Sequence, residues 1–223
     1  MRRVLSRART ATRGAAVTGA VAAVTLLATA LTVAPVAADD NAPAPSARRT
    51  TVVTASAPFV ALPMEDYADY QPQTRCIRKP RAGIRLLADF LVARGGGYGP
   101  ISRSCAGSST SEHKESRAFD WMLDASKKED RLIAKAFLDE VLAPDDTGQP
   151  HALARRMGIM YVLWNDRSWA SYRGFEPVPY LSSGCRTKKR CSKTLRHRYH
   201  VHVSLTRKAA NGKLSWYLAQ QTD

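Results

Sequence analysis

The sequence contains little cysteine, and this scarcity limits what can hold the chain together. Four cysteines in 223 residues are too few for a disulfide scaffold, so a hydrophobic core must stabilise the fold. Hydrophobic residues make up 44% of the chain and charged residues 24%, and this balance excludes wholesale disorder. At roughly 100–200 residues per domain, the length allows one domain, or one domain with a tail.

Acidic residues are also scarce. Aspartate and glutamate total 19 against 34 lysines and arginines, which gives a formal net charge of +15. A charge of this sign favours anionic partners such as nucleic acid, an acidic wall polymer or lipid headgroups, but it selects none of them.

The first 38 residues contain no acid at all. Five arginines fall within residues 2–13, an apolar run follows over residues 15–33, and small residues at 36–38 precede two aspartates. This order predicts a secretory signal peptide over residues 1–38. The alternative is an uncleaved anchor, because the apolar run approaches the ~20 residues that span a bilayer. A membrane partner is expected only in that case.

Cleavage would remove five of the 34 positive residues and none of the 19 acids, which leaves +10. Export also makes nucleic acid a poor partner, so we expect none. The predicted location is secreted or cell-wall associated. The basic run at residues 188–190 is expected in a solvated loop, where it could contact an anionic wall polymer.

The mature chain divides into a tether and a domain. Residues 39–66 are rich in Pro, Ala, Ser and Thr and are typical of a flexible linker. Residues 67–223 are domain-like. Apolar spacing predicts helices around 86–91, over 129–142 and over 151–157, and strands over 117–123, 159–164 and 199–206. These elements predict an α+β fold with a small, mainly antiparallel sheet flanked by helices.

All four cysteines, Cys76, Cys105, Cys185 and Cys191, lie in the mature part. Four cysteines allow three pairings, and the sequence does not choose among them. A Cys185–Cys191 bond would close a local basic loop, and Cys76–Cys105 would then tie the segment before the first helix to the loop after it. A zinc cluster is the competing interpretation, but two CxxC-type pairs are absent and export favours disulfides.

Three of the five histidines lie in two short motifs, SEHKESRAFD at residues 111–120 and HVH at residues 200–202. On an extended strand His200 and His202 emerge on one face. His113 at the entrance of a strand and Asp120 within it can converge on that face if the two strands pair. Two imidazoles and a carboxylate suit Zn²⁺, and three protein ligands leave a fourth position open for water, as in catalytic zinc sites.

Other interpretations of these residues remain open. The histidines and the aspartate can be partly buried polar groups that hydrogen bonds satisfy. His197 forms a spaced triplet with His200 and His202, but strict alternation predicts that it faces the other side, so we expect it to be peripheral. Arg103 can hold a substrate carboxylate or stabilise an oxyanion, or it can be a surface arginine in a loop restrained by Cys105.

Here the sequence resembles a known group of enzymes. His-x6-Asp followed by His-x-His is similar to the zinc peptidase superfamily of D-alanyl-D-alanine carboxypeptidases, murein endopeptidases and hedgehog domains. The segment SEHKESRAFDW resembles its S-x-H-x-x-G-x-A-x-D pattern. More closely, ISRSC, SEHKESRAFDWML, RRMGIMYVLWN and HVHVS together resemble a secreted actinobacterial domain of unassigned activity, over about residues 67–217.

The resemblance implies a hedgehog/D-Ala-D-Ala-peptidase-like fold and a set of roles. His113, Asp120 and His202 would be the metal ligands, and His200 would orient or deprotonate the zinc-bound water. Two positions depart from the pattern: Ser116 stands where the superfamily has glycine, and Tyr199 where the closer group usually has an acid.

Together these observations predict an exported zinc metallohydrolase that cleaves an amide bond in peptidoglycan stem peptides or similar short peptides, with His200 and Arg103 as catalytic residues. The alternative is a catalytically inactive secreted binding module, with or without zinc, that associates with the cell wall.

Overall fold

The structure is a computed structural model that describes residues 62–220. The predicted signal peptide and residues 39–61 of the predicted linker lie outside the described residues. Between residues 62 and 220, none of the helices is both long enough and apolar enough to cross a membrane.

A six-stranded antiparallel sheet forms the centre of the described part of the chain. Its strands are β1 (Gly97–Tyr98), β2 (Ala118–Met122), β3 (Ile159–Trp164), β4 (Arg167–Ala170), β5 (Val178–Pro179) and β6 (Val201–Leu205). Their spatial order is β1-β2-β6-β3-β4-β5, and each neighbouring pair is antiparallel. The last strand in the chain therefore lies at the middle of the sheet, between β2 and β3.

Helices accompany this sheet. They are α1 (Ala82–Val92), α2 (Lys128–Leu142), α3 (Ala152–Arg156), α4 (Arg207–Ala210) and α5 (Ser215–Ala219), with 3₁₀ helices at Glu112–Glu115, Ser171–Arg173 and Lys188–Arg190. The α+β prediction is confirmed. The three predicted helices and three predicted strands all form, whereas the short elements β1, β4, β5, α4 and α5 were not predicted.

Helix α1 shows why the longer elements were predictable. Its buried residues Ile84, Leu87, Ala88 and Leu91 recur every three or four positions, so they form one apolar stripe that packs into the core. Gly83 lies where α1 crosses α4, and a Cβ atom there would come within 1.9 Å of a backbone oxygen. Only glycine fits this close approach.

The two faces of the sheet differ in chemistry. One face carries apolar residues such as Phe119, Val162 and Val203, which belong to the hydrophobic core. Because side chains alternate along a strand, the opposite face carries Asp120 and His202, which are also buried. The central strands of the sheet therefore carry buried polar side chains on the face opposite the hydrophobic core.

Candidate metal centre

Two of the three predicted ligands face each other across paired strands. The register of β2 and β6 places Asp120 directly opposite His202. In the structure, the His202 Nδ1 atom lies 2.9 Å from the Asp120 Oδ1 atom. Both residues are on central strands of the sheet, so the backbone fixes their separation.

The third predicted ligand comes from the 3₁₀ helix that precedes β2. The Ser111 hydroxyl accepts a hydrogen bond from the backbone N–H of His113 at the start of this helix. The His113 side chain is fully buried, and its Nδ1 atom lies 3.0 Å from the Ile101 carbonyl oxygen. This contact turns Nε2 towards Asp120 and His202.

The three side chains form a group that can hold a metal ion. The His113 Nε2 atom lies 3.0 Å from Asp120 Oδ1 and 3.2 Å from His202 Nδ1. Tetrahedral zinc with ligands at about 2.0–2.1 Å separates neighbouring donor atoms by about 3.3 Å. The spacing of the three donors is therefore close to that of three corners of a zinc tetrahedron.

The protons of these side chains are compatible with a cation between them. A carbonyl oxygen only accepts, so the His113 Nδ1 atom beside Ile101 carries the hydrogen, and the Nε2 atom of the neutral ring then bears a lone pair. That lone pair faces a carboxylate oxygen of Asp120, which also only accepts. A second proton on His113, the Nδ1–H group of His202 donating to both atoms, or a metal ion can satisfy this pair.

Burial favours the metal ion over the second proton. Burial lowers the pKa of His113 from its usual value, which disfavours the imidazolium. Burial by itself raises the pKa of Asp120, but its contacts with His113 and His202 outweigh burial and hold that pKa well below the usual range. At neutral pH the group combines a neutral His113 with an ionised carboxylate, as metal ligands require. The residues therefore fit a divalent metal ion such as zinc.

Further contacts, made by its Nε2 atom and by its ring, orient His202. Its Nε2 atom lies 2.9 Å from the Ser204 hydroxyl, and its ring stacks on Tyr161 with centroids 5.6 Å apart. The Tyr161 hydroxyl in turn donates to Glu112 at 2.6 Å. Such partners fix the orientation of a ligating imidazole. Alternation along β6 predicts that Ser204 lies on the same face of the sheet as His202, whereas no sequence signal singled out Tyr161.

The structure shows the surroundings of the two positions, Ser116 and Tyr199, that depart from the expected patterns. Ser116 adopts the left-handed conformation, with φ 49° and ψ 47°, that glycine adopts most readily. Its hydroxyl donates to the Ile77 carbonyl oxygen, which helps to hold this turn. Tyr199 is 38% exposed, and the Lys193 ammonium lies 5.2 Å from the centroid of its ring.

The two predicted catalytic residues lie beside this group. His200 comes directly before β6, and its Nε2 atom lies 3.5 Å from Asp120 Oδ1. Burial lowers the pKa of His200 to about 4, so its ring is neutral at pH 7. Arg103 lies on the other side, with its guanidinium 3.5 Å from Asp120 Oδ2 and its side chain 52% exposed. Arg103 therefore connects the buried carboxylate of Asp120 to the solvent-exposed surface.

The prediction for His197 is wrong. Its ring contacts His200 with centroids 4.8 Å apart and His202 with centroids 5.5 Å apart. Alternation fails because β6 begins only at Val201, so His197 lies in the preceding loop, where its φ of 51° turns the chain. The predicted peripheral histidine is therefore a neighbour of the candidate metal centre.

The prediction of disulfides is confirmed, and the structure contains one of the three pairings that the sequence left open. Cys76 is bonded to Cys105 and Cys185 to Cys191, and no free cysteine remains in the described part of the chain. The competing interpretation of a cysteine zinc cluster is excluded by these bonds. Disulfides of this kind are typical of oxidising compartments, which is consistent with an extracellular protein.

Comparison with known proteins covers only part of this site. The model of a family described as VldE, C-terminal domain, matches residues 79–189, just under half of the chain. The matched segment includes Arg103, His113 and Asp120 but ends before His197. No curated protein and no solved structure matches the chain. The resemblance to the zinc peptidase superfamily therefore stays a prediction.

Proposed function

We propose that this protein is an exported zinc metallohydrolase that cleaves an amide bond in peptidoglycan stem peptides or in similar short peptides. One observation carries the proposal more than any other. The donor atoms of His113, Asp120 and His202 lie within 3.2 Å of one another inside the protein, close to the spacing of three corners of a zinc tetrahedron.

The geometry supports a site with an open side. His113 is fully buried, whereas the side chains of Asp120 and His202 keep 5% and 7% of their surface exposed. Three protein ligands with access at one edge are typical of a catalytic zinc, and a structural zinc is usually enclosed by four protein ligands.

Each residue then has a defined task. Zinc, when bound, lowers the pKa of its water and polarises the carbonyl of the scissile amide. His113, Asp120 and His202 hold the ion, and Ser204 keeps His202 in the orientation that this needs. His200 holds the attacking water and accepts or positions its proton. Arg103 offers a guanidinium to negative charge at the exposed edge, on a substrate carboxylate or on the oxyanion.

The substrate class rests on charge, location and resemblance together. The mature chain is basic, the two disulfides are consistent with an extracellular environment, and the motifs resemble those of murein endopeptidases and D-alanyl-D-alanine carboxypeptidases. Peptidoglycan stem peptides are short, exposed to secreted enzymes and rich in carboxylates, which Arg103 can bind.

The alternative function is a secreted, catalytically inactive wall-binding module, with or without zinc. The basic residues of the exposed 3₁₀ helix at Lys188–Arg190 support it, because they can contact an anionic polymer without any chemistry. The two functions make different predictions for isolated cell walls.

The discriminating experiment is a digestion of isolated cell walls by the purified exported protein, read by mass spectrometry of the released muropeptides. We expect release that a chelator abolishes and added zinc restores. The Asp120→Ala variant should release nothing, whereas Asp139→Ala, at an exposed helix position, should behave as the wild type. A wild type that holds zinc, sediments with the walls and releases nothing would overturn the hydrolase and support the binding module.

A further inference from the structure

His197 carries a buried ring nitrogen that the structure leaves without a hydrogen bond. Its Nδ1 atom is buried and has no partner among residues 62–220. Buried polar atoms are almost always paired in proteins, and the exceptions call for a specific explanation such as an absent ligand. We call this atom the open nitrogen of His197.

The ring of His197 lies among the imidazoles of the candidate metal centre. It meets His200 edge-on at an interplanar angle of 65° and His202 at 70°. On its other side, Tyr180 packs edge-on with centroids 5.1 Å apart. Three rings thus hold the His197 side chain in place and leave it little rotational freedom.

The backbone of His197 is held just as firmly. Its φ of 51° is uncommon for a residue with a side chain. Its N–H donates to the Thr194 carbonyl at 2.9 Å, and its carbonyl accepts from the Asn165 N–H at 2.7 Å. The neighbouring Arg196 pairs with Asp166 through two contacts of 2.7 and 2.8 Å. Strained residues held by their surroundings in this way cluster at functional sites.

We propose that His197 binds, through its open nitrogen, the water or substrate atom on the open side of the metal site. This inference rests on the proposed function, and it adds a catalytic residue to it. His197 and His200 then form a pair of imidazoles, packed against each other, beside the candidate metal centre. The open nitrogen supplies a hydrogen bond at a position that the packed rings and the loop define in advance.

A purely structural role makes a different prediction. If the ring only fills space between His200, His202 and Tyr180, then phenylalanine should replace it. If the open nitrogen binds a ligand, phenylalanine should fail and asparagine should succeed in part, because the Asn amide places a polar atom close to the position of Nδ1. Asparagine also tolerates the left-handed backbone of this position.

The chain offers a matched control at His151. This histidine also has a positive φ, of 54°, but its Nδ1 atom is already paired with the Tyr67 hydroxyl at 2.8 Å. The His151→Asn variant therefore makes the same substitution at another residue with a positive φ, at a ring whose nitrogen already has a partner.

The test uses the full exported protein loaded with Co²⁺ in place of Zn²⁺, with azide as a small anionic probe of the open side. Cobalt content is measured first, and azide affinity follows from the visible absorption of the cobalt. We expect about one cobalt per chain in the wild type, His197→Phe, His197→Asn and His151→Asn. The azide Kd should rise at least fivefold in His197→Phe, and much less in His197→Asn and His151→Asn.

The outcomes separate this inference from the proposed function. A His197→Phe variant that binds cobalt and azide like the wild type overturns the inference and leaves the hydrolase standing. A His197→Phe variant that folds but loses cobalt also overturns it, since His197 would then hold the metal itself. A wild type that binds no cobalt and no zinc overturns both. If His197→Phe does not fold, His197→Ala carries the same comparison.

Discussion

The disulfide between Cys76 and Cys105 joins two segments that both hydrogen-bond to the turn containing His113. Next to Cys76, the Ile77 N–H donates to the Lys114 carbonyl oxygen at 2.6 Å, and the Ile77 carbonyl accepts from the Ser116 hydroxyl. On the Cys105 side, the Arg103 N–H donates to the His113 carbonyl oxygen at 3.2 Å. The disulfide therefore constrains the loop that presents a candidate metal ligand.

A first prediction follows from this constraint. Replacing Cys76 and Cys105 by serine should weaken zinc binding at least tenfold, because His113 would no longer be preorganised. The double variant Cys185→Ser/Cys191→Ser is the matched control, since it opens a local loop whose closure does not involve the His113 turn. Zinc affinity, measured by competition with a chromogenic chelator, distinguishes the two. Equal weakening in both double variants would contradict the prediction.

A second prediction concerns the ligands. The purified protein should hold about one zinc per chain, because the three donors form one site. His202→Ala should remove the zinc, since too few ligands remain, and Asp120→Ala should do the same. His151→Ala serves as the control and should keep it. Elemental analysis after gel filtration checks the prediction, and full zinc content in both ligand variants would rule out this site.

A third prediction separates the two histidines of HVH. His200→Ala should keep zinc and the fold, while hydrolysis of a substrate that the wild type cleaves should fall by roughly 10²–10⁴-fold, the usual contribution of a general acid–base group. Zinc content and turnover are measured on the same preparation. Loss of zinc would show that His200 is a ligand. Unchanged turnover would show that another group orients the water.

A fourth prediction concerns stability in acid. Burial by itself raises the pKa of Glu115, but hydrogen bonds from Thr74, Arg117 and Arg207 outweigh burial and lower the pKa to about 2. A carboxyl group whose pKa is lowered by folding stabilises the protein above its ordinary value near 4.5. This contribution should be lost progressively as the pH falls from about 4.5 through 2.

Urea unfolding at a series of pH values tests this prediction. Glu115→Gln should lower the free energy of unfolding by about 1.5–3 kcal/mol at pH 7, because it removes the nearer of the two carboxylates beside the buried Arg117 and leaves Glu112 at 3.8 Å. It should also flatten the dependence below pH 4.5. Asp139→Asn removes an exposed pair with Lys135 and should change stability by less than about 1 kcal/mol. A Glu115→Gln variant with the wild-type acid profile would contradict the prediction.

A fifth prediction concerns the turn at Ser116. Ser116→Ala loses the hydrogen bond to Ile77 and keeps the left-handed strain, so it should destabilise the fold by about 1–3 kcal/mol. Ser116→Gly loses the same bond but relieves the strain, so it should be more stable than Ser116→Ala by about 1 kcal/mol. The order of the two unfolding midpoints decides the outcome, and the reverse order would show that strain at this residue is small.

Short-range patterns explain which elements were predictable. The apolar spacing of α1 and α2 and the alternation of β6 are properties of neighbouring residues, so the sequence shows them directly. The two-residue strands β1 and β5 contain no period to detect, and they exist because longer strands beside them offer hydrogen-bonding partners. The loop before β6 misled the prediction, because alternation does not extend past the start of a strand.

The sequence by itself determined that His202 and Ser204 share one side of a strand, since an extended backbone alternates its side chains. Tertiary structure alone decided that Asp120 faces His202, because the register of two strands 82 residues apart depends on the packing of the whole sheet. It also decided that the Ile101 carbonyl orients the ring of His113, and that a left-handed loop turns His197 towards the metal-binding group. These relationships join residues that are distant or irregular in sequence, and no local period can encode them.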